Sequence, residues 1–319
     1  MTLEAAPLFT EVHPGPEQGA AYWARAEDGP RVRIGTWGVP EHARGTVLLF
    51  PGRTEYIEKY ALVAGGFFDR GYATIAIDWR GQGLADRLLD DVRVGHVGMF
   101  LDYQKDVDAM HRAARELGLP EPYYLMGHSM GGCIGLRALH VGLPVAAAAF
   151  TGPMWGIRIP QHMQPLAWVL GRLMPAIGQG HTLPPTTKYE SYILADPFEQ
   201  NLLTTDREMW DMMGDHLRAH PELQLGGPSY IWLHEALQEC NALALMDAPS
   251  VPAIAFQGTN ERIVHTGRIA EQMARWPNGE LRLIAGGEHE VLMEGPEVRG
   301  RILDEIVAHY EGAEQSAVA

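Results

Sequence analysis

The chain runs to 319 residues, 46% of them hydrophobic. That is long for one compact domain and short for two independent enzymes, so one core carrying an inserted subdomain is expected. A formal net charge of −15, with no run of Lys and Arg to offset it, repels phosphate backbones and excludes nucleic acid as a partner.

Two cysteines, Cys133 and Cys240, are too few for a disulfide framework and point to a reducing compartment. Residues 1–29 hold no basic segment leading into an apolar core, so no secretory signal is read there. No apolar run approaches the ~20 residues that span a bilayer. A cytoplasmic protein, at most peripheral to a membrane, is expected.

Residues 21–25 and 31–37 read as strands around Glu27-Asp28-Gly29-Pro30 and predict a starting hairpin. Residues 45–50 form a short continuous apolar run of the kind covered on both faces, stopped by Pro51-Gly52. Residues 58–70 read as helix, 73–78 as a buried strand feeding the loop 79–83, and 99–117 as an amphipathic helix ended by Gly118 and Pro120. Residues 123–135 then read as strand, sharp turn and helix, and 145–150 as the next strand. This rhythm predicts an α/β fold with right-handed crossovers and a mostly parallel sheet flanked by helices. Chemistry is then expected at the carboxyl ends of the strands.

From residue 154 to 242 the strand signals stop and the composition shifts to Met, Pro, Trp, His and Leu. Within it, residues 160–177 carry one charge, Arg172, and apolar side chains around most of a helical wheel, a pattern that calls for cover on several sides. Strand, helix, strand and closing helix return at 251–258, 267–276, 280–285 and 296–310, and the tail after Gly312 is expected to be disordered. The chain therefore divides into 1–153, the first part of the core; 154–242, a helical cap or lid; and 243–319, the second part of the core.

Gly127-His128-Ser129-Met130-Gly131 matches G-x-S-x-G, the nucleophile elbow of α/β-hydrolases, in which the serine sits on a strained strand-to-helix turn. An alcohol is a poor nucleophile at neutral pH, so Ser129 needs a base, and the base needs an acid to orient it. Among 14 histidines, His289 stands on the Gly-rich loop after the last strand, where the chain order Ser, acid, His puts the base. His128, inside the elbow, is expected to turn away from the nucleophile. The acid belongs after the penultimate strand, which selects Glu261 over Asp247, before that strand, and Glu288, adjacent to the base. The competing role for Glu261 is a weak surface pair with Arg262. An oxyanion hole needs two backbone donors, and Met130 and Arg53 supply candidates; Pro51 has no N–H. There is no H-E-x-x-H, H-x-H, paired C-x-x-C or complete G-x-G-x-x-G before a helix, so neither metal nor cofactor is expected.

Four blocks in order resemble the α/β-hydrolases grouped as monoacylglycerol lipases and bacterial lysophospholipases. Pro51-Gly52-Arg53-Thr54-Glu55-Tyr56-Ile57-Glu58-Lys59-Tyr60 resembles that family's H-G-x-x-E-H-x-x-R-Y loop, and Asp78-Trp79-Arg80-Gly81-Gln82-Gly83 its D-x-R/H-G-x-G loop. Residues 127–132 resemble its elbow, and 258–262 with Glu288-His289 its acid and histidine segments. The chain departs from the pattern at Pro51, where the family has His, and at Glu261, where Asp is usual. The resemblance implies a cap inserted after the strand that follows the elbow, single-chain acyl esters as substrates, and Arg53 and Met130 as oxyanion donors. The expected function is a serine hydrolase that cleaves a lysophospholipid or monoacylglycerol through an acyl-enzyme on Ser129. The alternatives are a carboxylesterase or thioesterase with a small-acyl pocket, and a non-catalytic hydrolase-fold binding protein. The apolar cap leaves peripheral membrane contact open.

Overall fold

Nine strands form one sheet in the computed structural model, which describes residues 3–185 and 187–318. In chain order they are β1 (Glu4–Ala6), β2 (Ala20–Arg25), β3 (Arg31–Trp37), β4 (Thr46–Phe50), β5 (Ala73–Asp78), β6 (Tyr123–His128), β7 (Ala148–Thr151), β8 (Ala253–Gly258) and β9 (Glu280–Ile284). Their order across the sheet is β1-β2-β3-β5-β4-β6-β7-β8-β9. The predicted hairpin is β2 and β3, whose antiparallel pairing continues into β5. From β5 through β4 to β9 every pair is parallel.

The apolar runs read as doubly covered strands are buried along their whole length in β4, β5, β6, β7 and β8. Alternation along β4 shows why. Leu48 and Phe50 face a core layer containing Val107 and Met110 of α2 (Tyr103–Glu116) and Ile134 of α3 (Met130–His140). Val47 and Leu49 face the opposite layer, with Val63 and Phe67 of α1 (Ala61–Phe68) and Ile302 and Ile306 of the C-terminal helix. A strand sandwiched this way has no solvent face on which to place a charge.

Among the described residues between β7 and β8 are the α-helices α4 (Gln164–Ala176), α5 (Tyr192–Ala195), α6 (Arg207–Ala219) and α7 (Tyr230–Ala244). The last of these runs two residues past the boundary expected at 242. It binds the insertion to the core. Trp232 Nε1 donates to Tyr103 Oη at 3.1 Å and Arg137 of α3 grips Glu239 at 2.6 Å, while within the insertion the buried Cys240 donates its thiol to Met154 O at 3.2 Å.

Two expectations fail here. The helix read at 160–177 was to be covered on several sides, yet among the described residues α4 packs mainly on α7, through a Trp168–His234 edge contact at 5.6 Å and close approach at Gly171. Leu166, Val169, Leu173 and Ile177 remain 51%, 57%, 49% and 59% exposed along one side. The tail after Gly312 is not disordered but helical: after α8 (Thr266–Arg275), the closing helix α9 runs Pro296–Val318. Its last turns are held by the core, since Arg44 pairs with Glu311 and the Tyr124 hydroxyl donates to Glu314. Both partners come from sheet-side residues far away in sequence, which local pattern cannot reveal.

Arg33 of β3 is fully buried between Asp78, at 2.7 Å, and Glu58, whose two oxygens lie 2.7 and 2.8 Å from its guanidinium. Removing the cation strands two buried carboxylates. Arg33→Met is expected to cost about 3–5 kcal/mol of folding stability, measured by denaturant unfolding.

Candidate active site

Ser129 occupies the turn between β6 and α3 with φ 49° and ψ −116°, a conformation side-chain-bearing residues rarely adopt. It is held there by its neighbours. Its N–H donates to Thr151 O at 3.0 Å, and its carbonyl accepts from Gly132 and Met154 at 2.9 and 2.8 Å. The turn is tight enough that a Cβ on Gly131 would lie 2.0 Å from Phe50 O.

The sheet order brings the ends of β6, β8 and β9 to one rim, and with them three of the side chains singled out in the sequence. Ser129 Oγ lies 2.9 Å from His289 Nε2, and His289 Nδ1 lies 2.6 Å from Glu261 Oε2. The other Glu261 oxygen accepts the Ile263 and Val264 N–H groups at 2.7 and 3.0 Å. Burial pushes the Glu261 carboxyl up, but His289 and these two N–H groups outweigh it and hold it below its usual range. An ionised Glu261 makes Nδ1 the donor and leaves Nε2 to accept the Ser129 hydroxyl proton. Arg262 pairs with Glu288 at 2.8 Å, not with Glu261.

His128, expected to turn away from the nucleophile, is not remote from the site but lies against its base. Its ring packs 4.9 Å from that of His289, and its Nδ1 lies 2.9 Å from both Thr151 O and Oγ1. Burial pushes it down to about 3 despite nearby Glu55, so at neutral pH it is an uncharged wall against the His289 ring.

Met130 opens α3 directly after Ser129, and Arg53 lines the same cavity as Ser129 and His289. Neither backbone N–H donates to any of the described residues. The Arg53 loop is braced from beneath. Glu55 accepts the Gly52 N–H, the Tyr60 hydroxyl at 2.7 Å and the Lys59 ammonium at 2.6 Å, while Gln82 Nε2 and Trp79 Nε1 donate to the Gly52 and Pro51 carbonyls. Lys59 also reaches Glu290 at 2.6 Å.

This bracing was missed in the sequence. The acid-to-base spacing of Glu55 and Lys59 was a signal for their pairing, whereas nothing local marked Glu290. Glu55, His128 and Glu290 are also close enough to ligate a metal, all within 4.8 Å, but the Lys59 ammonium already bridges the two carboxylates as their cation.

Ser129, His289 and Arg53 border a cavity of about 540 Å³, roofed by parts of 187–233 and lined largely by apolar side chains such as Met154, Ile157, Leu202, Leu203, Leu225 and Trp232. A pocket of this size falls within the range of ordinary small-molecule sites.

A mostly parallel sheet with the serine on the turn after β6 and a histidine beyond β9 is the architecture of the α/β-hydrolases. The chain belongs to the family described as Serine aminopeptidase, S33 (Hydrolase_4), whose model matches residues 41–296. It is 33% identical to lysophospholipase L2 of Escherichia coli K12 over 284 residues, covering 85% of this chain and 81% of that one. In structure it resembles a soluble variant of monoglyceride lipase from Saccharomyces cerevisiae, with a TM-score of 0.72, 21% identity, and 97% and 99% of the two chains covered. It also resembles a thermostable carboxyl esterase from Bacillus coagulans, with a TM-score of 0.74, 16% identity, and 92% and 98% covered. Among the described residues no helix is long and apolar enough to cross a membrane.

The Glu55 brace has a pH signature. Burial pushes its carboxyl up, but the Lys59 charge and the hydrogen bonds from Lys59 and Tyr60 pull it down from 4.5 to about 2. With a folded value below the unfolded one, its stabilising contribution is present above pH 4.5 and is lost as pH falls toward 2. Denaturant midpoints measured between about pH 5 and about pH 3 are expected to fall for the wild type and to fall less steeply for Glu55→Gln.

Proposed function

We propose that the chain is a serine hydrolase of single-chain acyl esters, a lysophospholipid or monoacylglycerol, acting through an acyl-enzyme on Ser129. The observation that carries this is the continuous hydrogen-bonded line from Ser129 through His289 to Glu261, opening onto a largely apolar cavity. The relative from Escherichia coli and the yeast structural neighbour, named for lysophospholipids and monoglycerides, support the substrate class.

Ser129 Oγ attacks the ester carbonyl carbon as His289 Nε2 takes its proton, with Glu261 stabilising the resulting imidazolium. The Met130 and Arg53 N–H groups hold the oxyanion, each such donor typically contributing about 10²–10³ in kcat. The tetrahedral intermediate collapses, the alcohol leaves with the proton from His289, and Ser129 is acylated. Water then attacks the acyl carbon, His289 takes its proton and returns it to Ser129, and the fatty acid is released. Residues 154–242 act as the cap over this site. The half-exposed stripe of Leu166, Val169, Leu173 and Ile177 on α4 is the surface suited to rest on a lipid aggregate.

Hydrolysis of lysophosphatidylcholine and monoacylglycerol tests the reading, with Ser129→Ala expected to lose about 10⁴-fold or more in kcat. Glu261→Gln is expected to lose roughly 10²–10⁴ while keeping its melting temperature, and near-normal turnover would move the acid elsewhere. A series of esters of increasing acyl length separates the lipase reading from a small-acyl esterase, which prefers short chains. In flotation with phosphatidylcholine vesicles, Val169→Glu with Leu173→Glu is expected to weaken binding roughly tenfold or more by removing apolar insertion.

A further inference from the structure

Arg53 is a cavity-lining cation to which no described carboxylate lies within ion-pair distance. Its Nη1 donates to Gly226 O at 2.9 Å, and its guanidinium carbon lies 5.5 Å from the Trp232 ring centroid. Among the described residues, the buried cation Lys59 on the same cavity wall is neutralised by Glu55 and Glu290. The acids on the cavity wall do not reach Arg53 either. Glu55 and Glu290 are held by Lys59, Asp196 pairs with Lys188 at 2.8 Å, and Glu190 is solvent-exposed.

A guanidinium carries five N–H donors in a fixed fork, of which one is engaged here. The cation–π contact with Trp232 holds the group without using those donors, and Trp232 is itself anchored on Tyr103. Burial lowers the guanidinium to about 10, which leaves it cationic at neutral pH. A cation held in place but not neutralised, on the wall of a substrate cavity, is suited to a bidentate oxyanion such as phosphate.

Its reach fits one part of the substrate. In the mechanism above the Arg53 N–H meets the ester oxygen, so the side chain begins at the reacting carbonyl. At ordinary bond lengths both the extended side chain, from Cα to guanidinium, and the glycerol spacer between an acyl ester and a phosphodiester span roughly 6–7 Å. A monoacylglycerol offers only a neutral hydroxyl at that distance.

We infer that the Arg53 side chain binds the phosphate of the head group and makes lysophospholipids, rather than monoacylglycerols, the preferred substrates. This rests on the ester-hydrolase reading of the same site. The net charge of −15 repels anions at long range, so a zwitterionic phosphodiester, neutral overall, is the class that gains most from a single local cation.

The test compares kcat/KM for lysophosphatidylcholine and for a monoacylglycerol of the same acyl chain, each as monomer, in wild type, Arg53→Gln and Arg53→Lys. The expected result is a lysophospholipid-to-monoacylglycerol ratio that falls roughly 10- to 100-fold in Arg53→Gln. Arg53→Lys should restore part of it by keeping the charge without the fork. A ratio that does not move, including an equal loss on both substrates, overturns the inference and makes the side chain a packing element.

Competition against a neutral water-soluble ester separates the sources of phosphate. Inhibition by glycerophosphocholine that weakens in Arg53→Gln supports head-group binding. Arg53-dependent inhibition by inorganic phosphate, with none by glycerophosphocholine, overturns it. Wild-type protein that cleaves neither lipid sinks the lipid reading and this inference together, whereas cleavage of both with an unmoved ratio sinks this inference alone.

Discussion

At the turn from β6 into α3 the backbone is packed so closely that positions 127 and 131 have no room for a side chain. A Cβ on Gly131 would stand 2.0 Å from Phe50 O, and one on Gly127 would stand 2.9 Å from Gly131 O. The chain can make this turn only by forcing Ser129 to positive φ, at a cost of about 1–3 kcal/mol. The strain persists because Thr151, Gly132 and Met154 over-determine the residue through its own N–H and carbonyl. Its consequence is chemical: the hydroxyl meets His289, and the Met130 N–H is left without a described acceptor beside it. The glycines that permit the turn and the serine that exploits it form one local device.

The Arg53 N–H, proposed above as the second oxyanion donor, is not placed by that turn, because the loop carrying it follows β4 and belongs to a different crossover. Its position depends on a buried ionic brace in which Lys59 lies between Glu55 and Glu290, while Glu55 reaches up to the Gly52 N–H. The arrangement ties the loop after β4 to Glu290, the residue that follows His289 in the chain. Breaking one partner of such a buried group leaves an uncompensated charge, which gives the brace its rigidity.

The insertion is fastened at a seam beside the same loop. The Gly95 N–H donates to Gly227 O at 2.9 Å, the Ser229 N–H donates to Gly95 O at 2.8 Å, and His96 Nδ1 lies 2.8 Å from Ser229 Oγ. These contacts hold the start of α7 and set Trp232 beneath Arg53. The roof is thus tied down at its C-terminal side, while α4 projects from α7 with its apolar stripe open.

Much of this was legible in the residues themselves. Continuous apolar runs identified the doubly covered strands, because a strand buried on both faces leaves no place for polar alternation, and G-x-S-x-G marked the elbow, because the crowded turn leaves no room for a Cβ two residues to either side of the serine. Chain order and loop position were enough to single out His289 and Glu261, since parallel strands deliver their carboxyl ends to one rim. What depends on partners distant in sequence was not legible. The exposed side of α4, the helical tail held by Arg44 and Tyr124, the His128 ring against His289, the Glu290 end of the Lys59 brace and the Trp232 seat of Arg53 are decided by which elements the fold sets side by side. The sequence by itself determined the strands, the turn and the order of the reactive groups, because those follow from local sterics and hydrophobic period. Only the tertiary structure decided which charges are neutralised and which apolar surfaces are covered, because burial and pairing are properties of neighbours in space.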